Sequence, residues 1–123
     1  MSIKIKITSD SGEHTLTATL AENKSALAFA ELLKKGPVTV SMNDYGSFEK
    51  VGFLGTSLPR TDSQITTQAG DIILYQGNQI TIYYDTNSWN FTRLGKVAGM
   101  TQAELKAILG KGGVTAVFTL ADF

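Results

Sequence analysis

The chain predicts a mainly β domain with two short helices, its antiparallel strands closing into a barrel or a sandwich. Three observations carry this. Apolar and polar residues alternate with a period of two in several separate stretches. Two other stretches show helical spacing instead, and polar turn residues separate nearly every run. At 123 residues the chain has the size of one ordinary domain, residues 1–123, with no repeat, linker or low-complexity segment.

Ile3, Ile5 and Ile7 alternate with Lys4, Lys6 and Thr8, the pattern of a half-buried strand. The turn segment Ser9–Glu13 follows. Leu16, Ala18 and Leu20 then resume the alternation, giving an N-terminal hairpin with a longer loop. Asn23 or Ser25 can cap a helix whose apolar stripe is Ala26, Phe29, Ala30 and Leu33, with Glu31 and Lys35 paired on the far side. Gly36-Pro37 ends it.

Val38, Val40 and Met42 form a third strand, the segment 43–50 a polar loop holding Tyr45 and Phe48, and Val51–Leu54 a short strand. Gly55–Ala69 is a long loop of a kind that often carries function. Ile72–Tyr75 and Gln79–Tyr84 make a hairpin around Gln76-Gly77-Asn78, with Ile80, Ile82 and Tyr84 on one face. After the DTNS turn, Trp89 and Phe91 share a strand face while Leu94 falls on the other parity, so a bulge or strand end is expected near Arg93. Thr101 and Glu104 form a capping box for a second helix with Leu105, Ile108 and Leu109 inward, and Val114, Ala116, Phe118 and Leu120 alternate in the last strand. The count is seven or eight strands.

Composition narrows function. Eleven basic residues balance eleven acidic ones and no basic stripe exists, which argues against a nucleic-acid partner. There is no cysteine for a thiolate site or nucleophile, and the single histidine, His14, reads as a partly exposed strand residue. Carboxylates show no metal-loop or glycosidase spacing, so neither a metal nor a cofactor is expected. Gly110-Lys111-Gly112-Gly113 follows a helix instead of opening one and reads as a turn, not a phosphate loop. MSIKIKI is a strand, and no apolar run nears the ~20 residues of a membrane span. A soluble, cytoplasmic protein, monomeric or weakly self-associating, is the expectation.

The aromatics Tyr75, Tyr83, Tyr84, Trp89 and Phe91 crowd into one stretch. Trp89 either fills the barrel end or serves as a stacking platform for a ligand. Arg93, on the face of Phe91, either lines a site mouth or pairs with Asp71 or Glu49. A groove for a peptide or small ligand would use Tyr45 of the 43–50 loop, the Gly55–Ala69 loop, and Trp89 and Arg93.

The segments LPRTDSQITTQAGDIILY and ITIYYDTNSWNFTRLGKV, with Leu20–Asn23 and Met42–Tyr45 before them, resemble the small bacterial and archaeal cyclophilin-like fold proteins. That resemblance implies a closed eight-stranded antiparallel barrel with two helices. It also implies a possible chemistry. In cyclophilins an arginine stands eight residues before the glutamine of a Gln-Gly-Gly-Asp-Phe segment, and here Arg60 stands eight before Gln68 in Gln68-Ala69-Gly70-Asp71-Ile72. On that likeness Arg60 would stabilise the twisted prolyl amide against its barrier of ~20 kcal/mol, and Gln68 would hold the peptide backbone. The pattern departs at Leu58-Pro59, which replaces Phe-His, and at Ile65 and Thr66, which replace the Phe and Met walls of a proline slot. The readings are therefore a ligand-binding barrel, a weak prolyl isomerase using Arg60, or a non-catalytic interaction module.

Overall fold

A computed structural model describes residues 1–46 and 49–121. Phe48, placed above in the 43–50 loop, lies outside the described residues. The elements run β1 (Ser2–Ser9), β2 (Gly12–Leu20), α1 (Lys24–Lys34), β3 (Val38–Tyr45), β4 (Glu49–Phe53), β5 (Ser63–Thr66), β6 (Asp71–Tyr75), β7 (Gln79–Tyr83), β8 (Ser88–Val97), α2 (Gln102–Leu109) and β9 (Val114–Leu120).

Every pairing is antiparallel, in the order β2-β1-β9-β3-β4-β7-β6-β8, and β8 returns to β2 through Ala18–Val97, Thr19–Lys96 and Leu20–Gly95. Eight strands thus close a barrel and remove its edges. The ninth, β5, pairs only with the first half of β8, outside the closed ring.

Alternation fills the interior. Ile3, Ile5, Ile7, Leu16, Ala18, Val40, Met42, Ile80, Ile82, Ala116 and Phe118 form one buried cluster. Two helices contribute to the same cluster from opposite ends. Asn23 caps α1, its Oδ1 accepting from Ala26 N–H at 2.7 Å, and the whole predicted stripe is buried, with Phe29 edge-on to Phe118 at 5.7 Å. The predicted capping box of Thr101 and Glu104 starts α2, and Leu105 and Leu109 are buried.

Four local expectations are corrected. The first hairpin has a tight turn, since Ser9 pairs with Gly12, which adopts φ 110°. Glu31 pairs with Lys34 (2.8 Å), one residue nearer than Lys35. The 43–50 segment is no loop: β3 runs on to Tyr45 and β4 begins at Glu49, paired as Asn43–Val51, Asp44–Lys50 and Tyr45–Glu49. The long loop contains β5. The bulge expected near Arg93 is present: Ile72 pairs with Gly95 but Ile73 with Arg93, leaving Leu94 as the extra residue of β8.

Gly95 marks the seam where β2 closes on β8. A Cβ there would lie 2.5 Å from the Thr19 carbonyl oxygen, a backbone atom with no freedom to swing aside. Gly95→Ala is expected to destabilise by about 1–3 kcal/mol, the usual cost of overpacking, read as a lower urea midpoint at unchanged slope. A change under about 0.5 kcal/mol would mean that the seam opens freely.

Candidate functional site

The same alternation that fills the barrel sends a second set of side chains outward. On β4, Lys50 is turned into the barrel, so Glu49 and Val51 face out. Register then lines up three strands: Tyr45 opposes Glu49, and Glu49 opposes Tyr83. β6 adds Tyr75, β7 adds Gln79, β8 adds Trp89 and Phe91, and the turn before β8 adds Asn87. Together these enclose a cavity of about 310 Å³ on the outer face of the barrel.

Its inner wall is a small core of its own. Ile73, Tyr83 and Phe91 are buried, with Ile65 of β5 and Tyr75 packed against them. Phe91 meets Tyr83 at 5.7 Å and Tyr75 at 6.1 Å between ring centroids, both tilted toward edge-on. β5 is what makes this possible. By pairing Ile65 with Trp89 and Ser63 with Phe91, it holds the first half of β8 out from the ring. Thr66 and Ser88 share a 2.7 Å hydroxyl contact across that ribbon. At the rim, Trp89 remains 60% exposed, and Tyr45 is exposed too.

Glu49 is the unusual member, at 7% exposure among aromatic rings. Burial pushes its carboxyl up to about 7. The Tyr83 hydroxyl, donating to it, pulls the other way, and the charge of Asp44 adds to the rise. Burial also holds Tyr83 protonated well above the usual phenol range. Asn87 Nδ2 donates in turn to the Tyr83 oxygen at 3.3 Å, so the relay Asn87–Tyr83–Glu49 fixes the direction of each group. Such an arrangement presents an acid poised between its two protonation states to whatever enters.

The residues singled out from sequence divide in space. Tyr45 and Trp89 line the cavity; Arg60, Gln68 and Arg93 do not. Arg93 lies on the outer face of β8, where its Nη2 reaches Asp71 at 3.3 Å, the pairing anticipated above. Asp71 also accepts from the Gln68 N–H (2.9 Å), and Lys96 Nζ donates to Gln68 Oε1 (3.3 Å), so Gln68 belongs to a polar cluster around Asp71. Arg60 points elsewhere. Its Nε and Nη2 both donate to Asp62 Oδ2 (2.9 and 2.5 Å), while Asp62 Oδ1 accepts from Thr92 (2.6 Å). The convergence of Arg60, Trp89 and Arg93 on one groove is therefore not found: each arginine is drawn to the nearest carboxylate instead.

Glu49, Tyr83 and Asn87 were missed. The available signal was parity, because Glu49, Val51 and Phe53 alternate with Lys50, Gly52 and Leu54. A second, wider cleft of about 460 Å³ lies between Met1 and the Leu27 face of α1, but its acid, Glu22, is exposed. No helix among the described residues is long and apolar enough to cross a membrane.

A family model described as the cyclophilin-like family matches residues 9–119. Among solved structures, McbB in complex with tryptophan superposes with a TM-score of 0.65 at 16% identity, over 98% of this chain but only 45% of McbB, so the chain spans about half that protein's length. A hypothetical protein from Archaeoglobus fulgidus, determined in solution, gives 0.61 at 15% identity, covering 94% of this chain and 93% of that one. At such identities the likeness is one of fold. No curated protein matches the chain.

Proposed function

The chain belongs to the cyclophilin-like family, and we propose that it binds a small ligand with a flat ring in the outer-face cavity. The observation that carries this is the lining itself. Tyr45, Tyr75, Tyr83, Trp89 and Phe91 surround a single buried acid in a space of about 310 Å³, the lower end of the range for small-molecule sites. Trp89 and Tyr45 supply stacking surface at the rim, and the Asn87–Tyr83–Glu49 relay supplies orientation. The fold relative solved with tryptophan makes indole compounds the first probes to try.

Trp89 is the only tryptophan, so its indole N–H gives one cross-peak that reports the site alone. Titration with L-tryptophan and with indole, by calorimetry and by that cross-peak, is expected to show saturable binding. Trp89→Ala should weaken it about tenfold, the equivalent of about 1.4 kcal/mol for one lost aromatic contact. Absence of saturation, or binding untouched by Trp89→Ala, overturns the reading. A prolyl isomerase working through the half-exposed Arg60 and Gln68 is the competing reading. A protease-coupled assay in which acceleration disappears with Arg60→Ala would favour it.

A further inference from the structure

The cavity has one charge and it is negative. Of the residues lining it, only Glu49 ionises near neutral pH, and none is basic. The basic residues on β4, in the β4–β5 connection and on β8 are committed to other partners. Lys50 turns into the barrel and donates to Asp44 and to the carbonyls of Gly110 and Gly112. Arg93 and Lys96 are held by Asp71, and Arg60 by Asp62. Among the described residues Glu49 enters no ion pair. The groups that face it are likewise neutral or negative: the Tyr83 hydroxyl from β7, Asp44 and Tyr45 from β3, and Tyr75 from β6, with Asn87 behind Tyr83.

A buried carboxyl with no cation beside it among the described residues, in a cavity lined by aromatic rings, is complementary to a positive charge brought in from outside. An anion would be repelled by the carboxylate and find no cation in the lining, and a neutral ligand would leave the carboxylate without a counter-charge. The Tyr83 hydroxyl already occupies one carboxylate lone pair and leaves others free to accept from an N⁺–H group.

Resting on the proposed ligand-binding role of this cavity, we infer that its ligand is a cation, an ammonium carried on a flat aromatic body. The ammonium sits on Glu49 and the ring lies between Trp89 and the Tyr75–Phe91 wall. Binding is then linked to protons. With the Glu49 carboxyl titrating near 7, the form that pairs with the ammonium is the minor one at pH 5 and the major one at pH 8, so a cation must displace the proton as it enters.

The probes are 1-naphthylmethylamine, protonated throughout this pH range, and 1-naphthalenemethanol, its neutral counterpart of nearly equal shape. Calorimetry at pH 5, 6.5 and 8 is expected to show the amine binding roughly 50- to 100-fold tighter at pH 8 than at pH 5, following the ionised fraction of one acid. Proton release should be seen from heats in two buffers at pH 6.5, and the alcohol should change less than about threefold. Glu49→Gln should abolish the pH dependence and bring the amine down to the affinity of the alcohol. If the alcohol binds as tightly as the amine, or Glu49→Gln leaves the pH profile intact, the cation inference falls while the ligand-binding role stands. If neither compound, nor any indole, saturates the wild-type protein, both fall together.

Discussion

Lys50→Met is expected to cost about 3–5 kcal/mol. Lys50 is 0% exposed, and its ammonium uses all three protons. They go to Asp44 Oδ1 (3.1 Å), the Gly110 carbonyl (2.9 Å) and the Gly112 carbonyl (2.6 Å), with the Tyr84 ring 5.7 Å away. Methionine fills much the same space, so the cavity contribution is small. What remains is two carbonyls of the α2–β9 turn deprived of the Lys50 donor, and an Asp44 carboxylate deprived of its buried cation while the Tyr84 hydroxyl still donates to it. The turn that sequence showed only as a glycine-rich connection thereby helps to fasten the end of α2 to the barrel, alongside the Ser9 and Ser11 hydroxyls on the Ile108 carbonyl. Thermal unfolding should drop by roughly 15 °C, and urea unfolding should keep its slope. A loss under about 1 kcal/mol would mean that water reaches those carbonyls and that the ammonium is dispensable.

Glu49→Gln should act in the opposite direction and only at high pH. An acid whose native value is raised binds its proton more tightly folded than unfolded. Below about pH 4.5 both states are protonated and nothing is lost. Between there and about pH 7 the unfolded chain ionises while the native carboxyl does not, so stability declines as pH rises. At pH 8 the native carboxylate carries a penalty of roughly 3 kcal/mol. Glutamine removes that penalty, so the variant should be about 2–3 kcal/mol more stable than wild type at pH 8 and nearly equal to it at pH 4.5. Urea melts at the two pH values check this. An equal change at both would show that Glu49 titrates as an ordinary surface acid. An acid that weakens the protein it sits in is more readily understood as part of a site than of a scaffold.

The barrel was legible because most strands bury one face. The isoleucine alternation of β1, the Leu16–Leu20 run of β2 and the Val114–Phe118 run of β9 each state which face goes in. Closure came from the family resemblance and not from the strand patterns, since the contact between β2 and β8 is only three residue pairs. The hairpin of β3 and β4 was unreadable for a chemical reason: Asp44 and Lys50 look like solvent residues and are instead each other's partners inside the fold. That misreading also hid Glu49. Tyr45 and Trp89 were visible as large aromatics beside turns, but nothing local says that Tyr45, Glu49 and Tyr83 stand side by side. Arg60 and Gln68 show the converse. Despite their matched eight-residue spacing along the chain, the two side chains have different partners: the Asp62 carboxylate holds Arg60, and Gln68 Oε1 accepts from the Lys96 ammonium.

The extra residue Leu94 reaches further than a kink. Before it, the odd-numbered side chains of β8, Trp89, Phe91 and Arg93, look out of the barrel; after it, odd-numbered Val97 looks in. One residue thus works as a frame shift within a strand. Remove it, and keeping Val97 in the core would rotate Trp89 and Phe91 into an interior already filled, erasing two walls of the cavity. A barrel of this family can therefore gain or lose this site by one inserted or deleted residue, with no side chain substituted at all.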